Sequence, residues 1–327
     1  MIITRAPLRI TLGGAPTDLD SYSRTYGGFC ISATINKYCY VTINRPFQKE
    51  ILLKYSELEK VKEVNEIQHP IIREAIRLFD FKTPQIEIAS IADVPSNGAG
   101  LGNSGAFTVA LLHALSQHRH SSMSSEDLAS LACKINIDKL GKEQGRQDEY
   151  SSAIGGINCF VFTPDGEVFY EPLKISYTNM MKLEDNLLLF YTGISHDTNT
   201  ILKEQNFKTE QKDKAMLKNL HHAKRIGFDS KVSLEKGDLT EFGYMLNLQW
   251  DNKANRNPEA ITPFLEQIHF GLLKNGAIGN KIVGSGGGGF FLVYTKKHEK
   301  VRNYMRAFEG VEEMRFQFDF EGSKRLI

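Results

Sequence analysis

The chain has 327 residues, 41% of them hydrophobic and 24% charged, with 40 lysines and arginines against 39 aspartates and glutamates. That length accommodates two ordinary domains, or one large α/β domain, with a sizeable core. A net charge of +1 argues against nucleic acid or an anionic membrane surface as the main partner, since both usually leave a basic excess, so any bound anion must be met by a local site.

The N-terminus MIITRAPLRITLGG alternates like a strand and shows no secretory pattern, and apolar runs such as GFFLVY are too short to span a bilayer. RITLGG, FCISATI and YCYVTINRP read as separate strands, because β-branched and aromatic residues recur at period two. HPIIREAIRLFD follows as a helix, and PQIEIASIADVP as a strand ending at Pro95. Phe107, Ala110, Leu111 and Ala114 then form one apolar helix face. SSEDLASLACKI is predicted to be the next helix, capped by Ser125. GGINCFVFTPDGEVFYEPL reads as a hairpin turning at Pro164-Asp165-Gly166. A polar stretch at 174–186 marks the expected boundary between two units. Beyond it come strands at NLLLFYTGI, NKIVGS and GFFLVYT, with three helices marked by Met216, Phe242 and Ile261. His113, His118 and His120 read as a solvated helix end. Cys30, Cys39, Cys133 and Cys159 form no CxxC pair, so reduced, buried thiols in a cytoplasmic protein are expected.

The stretch DVPSNGAGLGNSGAF (93–107) opens a helix with glycines, and no lysine, arginine or acid stands between Asp93 and Arg119. Gly100, Gly102 and Gly105 satisfy GxGxxG literally, but the dinucleotide motif needs a tight turn and a second parallel strand, and here helix follows helix. A flexible surface turn is the bland alternative; against it, each glycine loses roughly 0.5–1 kcal/mol to backbone entropy relative to alanine. The third reading is a phosphate cradle: a helix start leaves about four unpaired N–H groups and roughly half a positive charge. On that reading the backbone holds a triphosphate and no lysine is required.

Two further segments, APLRITLGGAPTDL (6–19) and KIVGSGGGGF (281–290), share order and spacing with the first and third motifs of the GHMP kinases, and the glycine loop resembles the second. Together they cover almost the whole chain. RQDEYSSAIGGIN (146–158), LLLFYTGIS (187–195) and WDNKANRN (250–257) resemble the branch acting on D-glycero-D-manno-heptose 7-phosphate. The resemblance implies an α+β, two-domain fold: an N-terminal domain like ribosomal protein S5 domain 2, over residues 1–178, and a ferredoxin-like C-terminal domain, over 179–327. It also implies ATP and Mg²⁺ as cofactors and phosphorylation of the anomeric hydroxyl of the heptose phosphate, for activated-heptose and surface-glycan synthesis. A galactose- or fucose-type kinase of the family and a nucleotide-binding regulator without catalysis stay open beside it. A homodimer is compatible with the sequence.

By the same resemblance Asp148 is the catalytic base, and Arg9 stabilises the attacking oxygen or anchors Asp148. Backbone from Gly98 through Gly100, Leu101, Gly102, Asn103, Ser104 and Gly105 holds the phosphates. Gly14, Thr17 and Asp18 face the sugar, Gly286 and Gly287 close over it, and Lys253 and Arg256 take the substrate's phosphate, unless they are a solvated helix end. Ser104 faces the metal. The chain departs from the family at four points: the glycine loop has an insertion near Asn97, Ala15 and Pro16 occupy a stretch that is glycine-rich in the heptose kinases, Asn103 replaces the first serine of the usual pair, and Asn136 stands where the family has a metal-binding glutamate, twelve residues before the aspartate. An amide oxygen can ligate Mg²⁺ but brings no charge. Asp138, two residues on, would face about 200° away on a regular helix.

Overall fold

The alternating N-terminal pattern becomes β1 (Ile2–Gly13) in a computed structural model that describes residues 1–79, 85–94, 100–194 and 198–327, with the backbone alone at 198 and 199. After α1 (Asp20–Tyr26), the two strands expected at 29–46 are one, β2 (Gly28–Asn44). The intervening Asn36 and Lys37 form a bulge: Pro7 pairs with Tyr38 and Leu8 with Ile35. Because the chain does not turn there, β2 serves two neighbours along its length. Its first half pairs with β6 (Ile157–Phe162), and its second half with β5 (Ile86–Ala92). Between β2 and β5 in sequence lie the hairpin β3 (Ile51–Lys54) and β4 (Leu58–Val61), then α2 (Pro70–Leu78). β7 (Val168–Pro172) completes the expected hairpin with β6.

Three helices carry the first half of the site. α3 (Asn103–His118) and α5 (Gln147–Ile154) both pack on β1 and β2, and α4 (Ser125–Cys133) packs on both helices. Ser124, not Ser125, caps α4: its Oγ accepts from Asp127 N at 3.0 Å. α4 runs into a π-helical segment, Lys134–Lys139, so the regular helix assumed for Asn136 and Asp138 does not exist.

The polar stretch at 174–186 is largely helical, α6 (Tyr177–Asn186), capped by Ser176. It leads into β8 (Leu187–Tyr191), α7 (Thr198–Glu210), α8 (Lys214–Lys236), α9 (Leu239–Arg256) and α10 (Pro263–Lys274). β9 (Ala277–Ile282), β10 (Phe290–Thr295), α11 (His298–Met305) and β11 (Glu312–Glu313) follow, in an antiparallel sheet of order β11-β8-β10-β9. Both faces of this sheet are buried. Leu188, Phe190, Phe291 and Val293 pack with Leu265 and Ile268 of α10, while the alternating Leu189, Phe290 and Leu292 join the main core with Phe242 and Leu246.

The last strand, β12 (Lys324–Arg325), returns to pair with β1 in the first sheet. His113 is tied to this tail through Ser323, at 2.8 Å, so it is not the solvated helix end expected. All four cysteines are free and buried. Among the described residues no helix is long and apolar enough to cross a membrane.

Candidate active site

Among the described residues α3 begins without a side-chain cap. Gly102 stands before it at φ 80°, in the left-handed region that favours glycine, and no acid occupies the first turn. The loop is pinned to β1, where Arg9 N donates to Leu101 O at 3.0 Å. From the other half of the molecule Gly284 meets it backbone to backbone, so that a Cβ on Gly284 would lie 2.6 Å from Gly100 Cα. The glycines of the second and third motifs are therefore in contact, and side chains are excluded because two main chains need the same space. What remains is an uncapped helix end facing a cleft of about 560 Å³.

Asp148 is brought to this end by α5. Arg9, buried at 5% exposure, donates from Nε to Asp148 Oδ1 at 2.7 Å and from Nη1 to Gly100 O at 2.6 Å. One guanidinium thus joins the acid to the glycine loop. Arg146 sets the start of α5, with Nε and Nη2 on the two carboxylate oxygens of Asp20 at 3.0 and 2.8 Å. Gln147, the first residue of α5, accepts from Thr11 Oγ1 at 3.0 Å, and its backbone N–H donates to Asp18 Oδ2 at 3.2 Å. Asp18 lines the cleft while almost fully buried, and its carboxyl is pushed up to about 6 by burial and by the nearby Asp148.

The opposite wall comes from α9 and β9 and is cationic. Lys253 donates to Ile282 O at 2.8 Å and to Gly284 O at 2.5 Å, and burial drives its pKa well below the usual lysine range. It therefore holds the third glycine segment, which the sequence did not suggest. Arg256 Nη1 reaches Asn219 Oδ1 and Asn252 Oδ1 at 3.1 and 3.0 Å, leaving a buried Nε without a partner among the described residues. Lys281 donates to Gln249 Oε1 at 2.6 Å, and burial, then Arg9, bring its pKa down to about 7. Among the described residues none of these three cations has a carboxylate partner. The solvated helix end is thereby replaced by a buried cationic wall.

Of the residues expected from the sequence, Arg9, Asp18, Gly100, Gly102, Asn103, Ser104, Asp148, Lys253 and Arg256 line one cleft. Others do not. Leu101 is a core residue at 0% exposure, and Gly105 lies beneath the helix start, against Asp148. Gly14 turns the chain at φ 85°, and the Thr17 hydroxyl bonds to Gly14 O and Phe29 O, at 2.9 and 2.8 Å, instead of facing a sugar. Gly284 and Ser285 line the cleft in place of Gly286 and Gly287. Gly98 lies outside the described residues. Lys142, Gln249 and Lys281 line the cleft unforeseen: each is one polar residue in a polar loop or a buried element, and no spacing marks it.

The residues at hand do not fit a magnesium ion held by residue 136. Asn136 is fully buried, does not line the cleft, and donates from Nδ2 to Glu149 Oε1 and Thr108 Oγ1 at 2.8 and 3.1 Å. Ser104 Oγ, the other expected ligand, accepts from Lys142 Nζ at 2.5 Å. Asp138 lies in a separate depression beside Arg146. No group of three or more histidine, cysteine, aspartate or glutamate side chains suits a metal among the described residues.

Comparison with known proteins accounts for this arrangement. The model of the GHMP kinases N terminal domain matches residues 70–156, and that of the GHMP kinases C terminal region matches 230–310. D-glycero-alpha-D-manno-heptose 7-phosphate kinase of Campylobacter jejuni is 28% identical over 99% of this chain and 98% of its own length. The crystal structure of a D-glycero-D-manno-heptose 1-phosphate kinase from Bacteroides thetaiotaomicron superimposes with a TM-score of 0.81 at 26% identity, covering 100% of this chain and 99% of that one. Lactococcus lactis galactokinase, at 16% identity and a TM-score of 0.77 over 99% of this chain and 94% of its own, shares the fold. With both domain models matched in order, and with the glycine loop, the acid and the third motif meeting in one cleft, this chain belongs to the GHMP kinases, a family of phosphotransferases.

Proposed function

We propose that the chain is an ATP-dependent sugar-phosphate kinase that phosphorylates the anomeric hydroxyl of D-glycero-D-manno-heptose 7-phosphate, yielding the 1,7-bisphosphate for activated-heptose and surface-glycan synthesis in the cytoplasm. The observation that carries this reading is the Arg9–Asp148 pair, 2.7 Å apart at the open start of α3, facing a buried cationic wall across the cleft. Phosphoryl transfer asks a protein mainly to position two reactants and to offset charge. Amides of Gly100, Gly102, Asn103 and Ser104, which line the cleft, receive the nucleotide's phosphates. Arg9 engages Asp148 Oδ1 and leaves Oδ2 to take the sugar's hydroxyl proton. As that proton leaves, the sugar oxygen bonds to the γ-phosphorus, the bond from phosphorus to the β–γ bridging oxygen breaks, and ADP departs with the electron pair. Asp18 receives hydrogen bonds from other sugar hydroxyls.

A phosphate on the acceptor explains why the far wall carries Arg256 and Lys281 with no acidic partner among the described residues. An arriving dianion bonds to the guanidinium and restores the charge that burial takes from Lys281. A plain hexose would leave both desolvated for nothing. The test is an ADP-release assay over heptose 7-phosphate, other sugar phosphates, galactose, fucose and mevalonate. Heptose 7-phosphate is expected to be the best acceptor. Turnover confined to an unphosphorylated sugar would move the chain to another branch of the family. ADP release with no acceptor, despite firm ATP binding, would make it a nucleotide-binding regulator.

A further inference from the structure

Three observations converge on the nucleotide end of the cleft. The glutamate of the family is replaced by Asn136, whose side chain is buried away from the cleft. The π-helical segment carrying Asn136 ends by placing Lys142, whose backbone N–H donates to Asn136 O at 3.0 Å. Gln144 of the same loop donates from Nε2 to Glu149 Oε1 at 2.5 Å, the oxygen that also accepts from Asn136 Nδ2. The loop is thereby clamped from both ends, and its ammonium lies on Ser104 Oγ, at the first turn of α3.

We propose that Lys142 is a donor-phosphate ligand: its ammonium stands beside the α3 amides and compensates phosphate charge that, elsewhere in the family, falls to a metal held by the replaced glutamate. The inference rests on the nucleotide reading of this site and goes beyond it. A fixed monovalent cation on a hydroxyl at a helix start offers a polyphosphate a charge-assisted hydrogen bond without any protein-held metal. The residues that would hold such a metal are instead a neutral amide turned inward and a serine already engaged. Positions 136 and 142 belong to one loop, and the side chain at 136 is tied to it through Glu149 Oε1, which accepts from both Asn136 Nδ2 and Gln144 Nε2.

The test is calorimetric titration of ATP in EDTA and in Mg²⁺, with the wild-type chain, Lys142→Met and Lys142→Gln. Wild type is expected to bind metal-free ATP within about tenfold of its affinity with Mg²⁺ present, and both variants to lose about tenfold or more in EDTA with a smaller loss in Mg²⁺. Glutamine keeps a donor for Ser104 and so serves if the methionine variant fails to fold. Equal metal-free binding by wild type and Lys142→Gln would overturn the role of Lys142 and leave the kinase reading intact. Wild type that binds ATP in neither buffer would remove the nucleotide site itself, and this inference with it.

Discussion

Asp148 and Asp18 are two carboxylates in one cleft with different surroundings. The first is met by Arg9 Nε at 2.7 Å, and the second is almost fully buried and raised to about 6. Asp148→Asn removes the proposed proton acceptor and keeps the shape, so turnover is expected to fall about 10²–10⁴-fold, with ATP affinity by calorimetry little changed. Unchanged turnover would take Asp148 out of the chemistry. Asp18 makes a prediction about stability. Its carboxyl titrates at 3.8 when unfolded and at about 6 when folded, so between those values the native state holds a proton that the unfolded chain has lost. Its contribution therefore falls as pH rises through that window, and the penalty is complete above it. Asp18→Asn escapes the penalty. The variant should unfold at a higher temperature than wild type at about pH 8, the difference vanishing below about pH 4, while its turnover falls. A variant less stable than wild type at alkaline pH would show that the charged carboxylate is well served by Gln147 N–H.

At the scale of elements, the site depends on how closely α3 approaches α5. Gly105 makes the approach possible: a Cβ there would lie 2.9 Å from Asp148 Cβ and 3.1 Å from Glu149 N. Gly105→Ala must push the helices apart, at a cost of about 1–3 kcal/mol for overpacking. Displacement by a fraction of an ångström should lower turnover roughly tenfold or more, since about 1 Å of misplacement can cost 10²-fold. Thermal unfolding and steady-state rates measure the two effects. A variant matching wild type in both would mean that the junction has slack. The sequence placed Gly105 among the phosphate ligands; it serves the site from beneath, as a spacer between helices.

At the scale of the molecule, the two sheets are not segregated along the chain, because the C-terminal tail returns to the first. Phe318 is buried at 7% exposure, Tyr38 Oη donates to Asp319 Oδ2 at 2.9 Å, and Thr34 Oγ1 donates to Asp319 O at 2.7 Å. Truncation after Gln317 removes these contacts together with β12. Loss of one large buried aromatic is worth roughly 3–5 kcal/mol, so unfolding is expected on the order of 10 °C lower, by calorimetry or circular dichroism. A melting temperature within a degree or two of wild type would make the tail an ornament of the fold.

Much of this protein is written locally. Strand and helix periodicity, the uncapped glycine start of α3, the hairpin β6–β7 and the acid at 148 depend on neighbours within a turn or a strand, so the chain by itself determined them and, through three ordered motifs, the family. The fused β2, the return of the tail, and Lys142 on Ser104, 38 residues away, depend on contacts between distant segments. So do the roles of Lys253, Lys281 and Asn136. A lysine in a polar loop, a lysine in a strand and an asparagine in a helix look alike whether they face water, a ligand or another side chain. Burial and partners separate those cases, and only the tertiary structure decided them.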